Sequence, residues 1–254
     1  MTVSEDASAN QDSSKEQENS TWEFVKVILQ ALLLALVVRT LIFQPFSIPS
    51  GSMMPNLLVG DYLFVSKFSY GYSRYSIDSR LDLNFSGRVW DGKPVRGDIA
   101  VFKFPPDPNI DYIKRVIGLP GDRIQVKDSI LYINGVAVKR EPKGEFQVER
   151  NRSAVTVPIF VETLPNGKSY ETLDLGYSQG DDTQIFEVPP GHYFMMGDNR
   201  DNSLDSRFDV GFVAAENFVG RAKFVFFSVR DGAHPLAFWR WLDTIRTERF
   251  FTGL

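Results

Sequence analysis

Between Trp22 and Phe43 the chain carries an almost unbroken apolar run, with a Leu/Ala/Val centre from Val27 to Val38. No other feature restricts the fold as much. About 20 helical residues cross the hydrocarbon core of a bilayer. This segment reaches that length when Lys26 and Arg39 extend their charged ends toward opposite interfaces. A cleaved signal peptide and a buried core helix are the competing readings. A cleaved signal would have a basic stretch before the run and small residues after it. Here an acidic tail precedes the run and Gln44-Pro45-Phe46 follows it. The expectation is one retained transmembrane helix over 22–43, preceded by a tail, residues 1–21, too polar to offset its chain entropy and therefore disordered. Lys26 is the cation nearest the tail, so the positive-inside rule has little to act on in setting orientation.

Beyond the anchor the pattern changes from helical to β. Tyr62–Val65, Ile99–Phe102, Phe186–Val188, Tyr193–Met196 and Phe218–Val229 read as strands. Asp111–Ile117 alternates, which places Tyr112, Lys114 and Val116 on one face. Ser129–Ile133, Asn134-Gly135 and Val136–Val138 read as a hairpin, because Asn-Gly suits a type I′ turn. No long amphipathic helical pattern occurs between residues 50 and 230, and residues 140–185 read as polar and irregular.

Two bulk properties narrow the chemistry. Cysteine is absent and histidine occurs only at His192 and His234, which rules out cysteine chemistry and limits zinc sites and histidine-based catalysis. A net charge of -4 gives no general argument for nucleic acid.

Three segments concentrate reactive groups. Pro49-Ser50-Gly51-Ser52-Met53-Met54-Pro55 is either a stiff loop presenting a hydroxyl or an ordinary turn. A serine nucleophile needs a base. His192 lies in a Pro-Pro-Gly-His turn and His234 near the C-terminus, so Lys114 is better placed than either. Apolar burial would lower its pKa; a strand lysine with its head in solvent is the alternative. The third segment, Gly197 to Arg207, is dense in polar groups. A calcium loop fails in register, because Arg200 stands where an EF-hand needs Asp or Asn. A solvated surface loop stays open.

Taken together, these segments resemble bacterial type I signal peptidases. The resemblance is carried by Pro49–Pro55, Gly60-Asp61, Arg96-Gly97-Asp98, Tyr112-Ile113-Lys114-Arg115, Gly118-Leu119-Pro120-Gly121-Asp122 and the whole Gly197–Arg207 run, in the family's order. It implies a mostly β fold: an antiparallel β catalytic core over 44–124 and 189–230, an inserted smaller β subdomain over 125–188, and one N-terminal transmembrane helix. It implies a membrane-bound endopeptidase that removes signal peptides from exported preproteins through an acyl-enzyme. Ser52 would be the nucleophile and Lys114 the general base. The Ser52 N–H and Ser50 hydroxyl would form the oxyanion hole, and Ser203 would orient the Lys114 amine. Asp205 and Arg207 would pair to hold the loop, while Asp198 and Arg200 would be structural. Small side chains would be preferred one and three positions before the cut. No metal or organic cofactor is implied. The partners would be signal peptides and membrane lipid, with no nucleic acid. The resemblance places the protein in the bacterial cytoplasmic (inner) membrane, single-pass, its catalytic domain on the extracytoplasmic side.

The segment 231–254 lies outside the resemblance. Phe238, Trp239, Trp241, Leu242 and Ile245 alternate with Arg240, Arg246 and Arg249, as in an interfacial amphipathic helix or in a helix docking on the catalytic domain. Two other functions share some of these features. A self-cleaving Ser/Lys repressor would carry a DNA-binding helical domain where this chain has a membrane span. A membrane-anchored peptide-binding or scaffolding domain would have no need of paired Ser52 and Lys114 motifs.

Overall fold

The computed structural model describes residues 5–77, 86–150, 153–230 and 244–254. Helix α1 spans Glu5–Val37 and continues into a π-helical turn, Val38–Ile42. Within it Thr21–Ile42 is long and apolar enough to cross a membrane; its 22 residues span about 33 Å at 1.5 Å per residue. The helix begins at Glu5, where a disordered tail is expected from sequence. Ala, Glu, Gln and Lys in that stretch are good helix formers, and extending an existing helix needs no new nucleus. Met1–Ile42 form one compact unit and Phe43–Leu254 another.

The second unit is built on an antiparallel sheet of eight strands. Along the sheet run β1 (Phe43–Ser47), β2 (Asp61–Ser66), β14 (Phe218–Ser228), β3 (Ile99–Phe104), β4 (Asp107–Gly118), β12 (His192–Met196) and β13 (Val213–Ala214); β15 (Thr252–Gly253) also pairs with β14. β-branched and aromatic residues dominate these strands, as a pleated, packed surface favours. Alternation sends Ile99 and Val101 to one core, with Leu63, Val65, Met53 and Leu57. It sends Ala100 and Phe102 to the other, with Val116, Met195 and Phe218. Tyr112 packs against that second core and Ile113 against the first, so β4 keeps the period-two pattern expected of it.

Two smaller sheets lie between β4 and β12 in sequence. One contains β5 (Arg123–Lys127), β6 (Ile130–Ile133), β7 (Val136–Ala137) and β11 (Phe186–Glu187). Its β6–β7 turn has positive φ at Asn134 and Gly135, 55° and 80°, as the Asn-Gly pair requires. The other contains β8 (Lys139–Arg150), β9 (Ser153–Thr163) and β10 (Ser169–Leu173). Residues 140–185, expected to be irregular, thus hold most of the long antiparallel pair β8–β9. Val148, Val157 and Ile159 are buried on one face of it while Gln147, Thr156 and Pro158 face solvent. A sheet wet on one side reads as polar when only composition is considered. The buried face packs against Met54, directly beyond the Ser50-Gly51-Ser52 turn.

The described end of the C-terminal segment docks on the main sheet. Arg249 binds the fully buried Asp61 carboxylate at 2.6 Å, and Arg246 donates to Ser228 and the Val229 carbonyl. Phe238 through Leu242, the centre of the expected amphipathic helix, lie outside the described residues.

Candidate active site

The nucleophile turn is positioned by its two ends. Before it, Ile48 exchanges bonds with Asp61 and Gly60, at 2.8 and 3.0 Å. After it, Met53 is fully buried and its carbonyl accepts the Leu57 N–H at 2.9 Å. Between them Gly51–Met53 form one 3-10 turn, which leaves Ser52 buried at 7% exposure while Ser50 stays exposed.

Lys114 reaches this turn from β4. Up to Asp111 the strand is solvent-exposed, and from Lys114 onward it is buried on both faces, so the lysine stands where the strand enters the core. Its Nζ lies 2.7 Å from Ser52 Oγ and 3.1 Å from the Ile113 carbonyl. Only 4% of Lys114 is exposed. Burial therefore lowers its pKa from 10.5 to about 8, against the opposing pull of the Asp205 and Asp198 carboxylates. Such an amine is free in a usable fraction of molecules near neutral pH, and it contacts a serine hydroxyl.

The Gly197–Arg207 segment lies beneath both groups. Asp205 is fully buried; it accepts the Gly197 N–H at 3.0 Å and pairs with Arg207 at 2.9 Å. Asp198 receives Arg115 through two bonds of 2.7 Å, and Arg115 stacks on the Tyr170 ring. Arg200 pairs with Glu162, which also accepts the Tyr170 hydroxyl at 2.8 Å. The Arg115–Asp198 and Arg207–Asp205 pairs are bidentate, which fixes their geometry, and breaking any of these buried pairs would leave an uncompensated charge. Gly197 has no alternative side chain: a Cβ there would stand 2.2 Å from Ser203 Oγ and 2.6 Å from the Ser52 carbonyl.

One expected contact is missing. Ser203 is buried beside Gly197, but its Oγ makes no hydrogen bond, and Lys114 bonds the Ile113 carbonyl instead of the Ser203 hydroxyl. The strand's own carbonyl is one residue away and needs no movement of the loop.

Ser50, Ser52 and Lys114 line a cleft of about 450 Å³, walled by Phe46–Pro49 on one side and Ile110–Ile113 on the other. Among the described residues β1 pairs only with β2, and β4 pairs only with β3 before Arg115, so two unpaired strand edges border the cleft. His192 sits apart, its ring against the Pro190 carbonyl, and His234 lies outside the described residues.

Sequence reasoning missed Asn56, Glu162 and Tyr170, and gave Asn199, within the Gly197–Arg207 run, no role of its own. Asn56 donates to Asp198 at 2.8 Å, and Asn199 bonds the backbone on both sides of Ser52. Glu162 and Tyr170 carry no local motif; only the β9–β10 register brings them to Arg200.

Comparison with known proteins gives the family of the chain. Residues 21–227 match the family model described as signal peptidase, peptidase S26. The chain is 40% identical to the signal peptidase I of Rickettsia typhi over 268 aligned residues, covering 96% of this chain and 98% of the relative. It is also 40% identical to that of Rickettsia canadensis, covering 98% and 97%. A crystal structure of a signal peptidase I from Enterococcus faecalis V583 covers 51% of this chain and 96% of its own at 31% identity, with a TM-score of 0.32. A match over most of the chain, with relatives aligned almost end to end, makes this protein a member of the signal peptidase family, peptidase S26.

Proposed function

We propose that this chain is a membrane-anchored serine endopeptidase that removes signal peptides from exported preproteins, with Ser52 as nucleophile and Lys114 as general base. The observation that carries the mechanism is the 2.7 Å contact between Ser52 Oγ and a buried Lys114 amine whose pKa is lowered to about 8. The neutral amine takes the Ser52 proton as Oγ attacks the scissile carbonyl. The oxyanion is held by the Ser52 N–H and the Ser50 hydroxyl. Lys114 then gives its proton to the leaving amine, and water activated by Lys114 hydrolyses the ester. An extended peptide lying in the cleft would find unpaired backbone groups on β1 and β4 to bond. Ser203 remains the residue proposed to orient the amine, once a bound peptide has tightened the site. Asp205 and Arg207 hold the loop that carries it.

As the family resemblance implies, small side chains should be preferred one and three positions before the cut. A synthetic preprotein with Ala at both positions is expected to be cleaved at the signal junction, as read by the mass of the products. Phe at either position is expected to lower kcat/KM by at least about a hundredfold, since overpacking a closed site costs about 1–3 kcal/mol and also misplaces the scissile bond. Equal cleavage after large aromatic residues would overturn this specificity.

The proposed location is the bacterial inner membrane, with Phe43–Leu254 on the extracytoplasmic side; family membership and the apolar Thr21–Ile42 helix support a membrane location. A band of aromatic rings on β1, β2 and β14 supports lipid contact: Phe43, Phe64 and Phe68 lie edge to edge, Phe64 reaches Phe226 at 4.3 Å, and Phe68 and Phe251 are 50% and 77% exposed. Removing residues 1–42 is expected to leave short-peptide cleavage intact, because Phe43–Leu254 contains every proposed catalytic group. Cleavage of membrane-inserted preproteins is expected to fall, because enzyme and substrate no longer share a surface. Loss of short-peptide cleavage in a folded fragment would give the anchor a catalytic role.

A further inference from the structure

The amide that would stabilise the oxyanion is not free to choose its direction. The Ser52 N–H belongs to the same planar unit as the Gly51 carbonyl, and in a trans peptide the two point opposite ways. Whatever grips the Gly51 oxygen therefore aims the Ser52 N–H. Two groups grip it: the Met54 N–H at 3.2 Å, from within the turn itself, and Asn199 Nδ2 at 3.0 Å, from the opposite loop. Asn199 also donates its own backbone N–H to the Ser52 carbonyl at 3.0 Å. One residue thus holds the peptide planes on both sides of the Ser52 Cα.

Asn199 is suited to this hold. It is fully buried, and its Oδ1 has no hydrogen-bond partner. Turning the amide over would set Oδ1 against the Gly51 oxygen, two acceptors facing each other, so the NH2 end must face Gly51. A buried carboxamide that leaves its acceptor unsatisfied is kept for its donor. Its backbone is anchored in turn: the Asn199 carbonyl accepts the Asn202 N–H at 3.1 Å, and the preceding Asp198 is clamped by Arg115 and Asn56. Donation to a carbonyl also polarises its peptide unit and strengthens the N–H on the other side.

We propose that Asn199 is a positioning residue that aims and polarises the Ser52 N–H as the main-chain oxyanion donor. This rests on the Ser52/Lys114 reading of the site. Asn199 touches no reacting atom; it acts through the Gly51–Ser52 peptide.

The test uses the full-length enzyme in detergent and a peptide spanning a signal junction. Asn199→Leu keeps the volume and removes the donor; Asn199→Ala removes the side chain and is the second variant should the first not fold. In either folded variant kcat is expected to fall between about tenfold and a hundredfold, less than the 10²–10³-fold typical of losing an oxyanion donor outright. KM is expected to hold, and the inflection of the pH profile with it, because Lys114 is not among the contacts of Asn199. A peptide aldehyde, which forms a tetrahedral adduct on Ser52, is expected to lose affinity by the same factor as kcat, while the cleaved product peptide binds as before. A merely structural role would lower thermal stability and raise KM without that parallel. Wild-type kcat in a folded variant, or unchanged aldehyde affinity, would overturn the proposal. Ser52→Ala measured alongside separates the two levels: an active Ser52→Ala enzyme removes the underlying reading, whereas an inactive one beside a full-rate Asn199→Leu removes only the inference.

Discussion

Ser52→Ala is expected to reduce kcat by roughly 10⁶-fold while leaving a folded, membrane-inserted protein, the loss seen when a serine protease is stripped of its nucleophile. The substitution removes one hydroxyl, whose partner Lys114 keeps its bond to the Ile113 carbonyl. The turn itself is held by backbone bonds that alanine preserves, from Asn199 to the Ser52 carbonyl and from Met54 to Gly51. Cleavage of a junction peptide by the detergent-solubilised variant, with circular dichroism as the control for folding, checks both parts. Ser50→Ala is expected to lie between this variant and the wild type, at about 10²–10³-fold, because the Ser52 N–H remains as a donor. Near wild-type turnover in Ser52→Ala would place the nucleophile elsewhere.

The second large effect is at Lys114. An ordinary lysine with a pKa near 10.4 is neutral in fewer than about one molecule in a thousand at pH 7. At a pKa of about 8 the neutral share is roughly a tenth. The site as a whole, burial less the pull of Asp205 and Asp198, disfavours the ammonium by about 3 kcal/mol. Lys114→Arg keeps a charge that cannot be lost, so no base remains and turnover is expected to fall by at least about 10⁴-fold. The guanidinium is also larger than the ammonium it replaces at a site that is only 4% exposed, so thermal melting should accompany the assay. A folded, active Lys114→Arg enzyme would show that another group takes the Ser52 proton.

How much of this was readable beforehand depended on how local each signal was. The apolar N-terminal helix, the strands from Tyr62 to Val65 and from Ile99 to Phe102, and the Asn134-Gly135 turn are written in consecutive residues, and the structure has them within a few positions. The alternation of Asp111–Ile117 put Lys114 on a face with Tyr112 and Val116, but could not say whether its amine was wet or buried. That is decided by the Gly51–Met53 turn, which sets Ser52 Oγ 2.7 Å from the amine and comes from 62 positions away in the chain. The Gly197–Arg207 segment read equally well as a solvated loop. Its charges are buried because each meets a distant partner: Asp198 meets Arg115, and Arg200 meets Glu162. The hairpin of β8 and β9 was hidden by its wet face. Asn56 lies outside every matched segment, and the bond of Asn199 to the Gly51 carbonyl, although Asn199 stands in the matched Gly197–Arg207 run, joins positions too far apart in sequence to leave a spacing to detect.

The central claim is that Lys114 works as a neutral base, and the dependence of kcat/KM on pH tests it most directly, since that ratio reports the free enzyme. The sign is fixed by the lowered pKa. Below it Lys114 is an ammonium and cannot accept the Ser52 proton, so activity is low in acid; above it the amine is free and activity is full. For the full-length enzyme in detergent, with a peptide lacking ionisable groups near the cut, kcat/KM is expected to rise about tenfold per pH unit below the pKa. It should bend near pH 8 and level off above about pH 9. A profile that is flat from about pH 6 to 10, or one that bends below about pH 6 where a carboxylate or histidine would titrate, would contradict the assignment of Lys114 as the base.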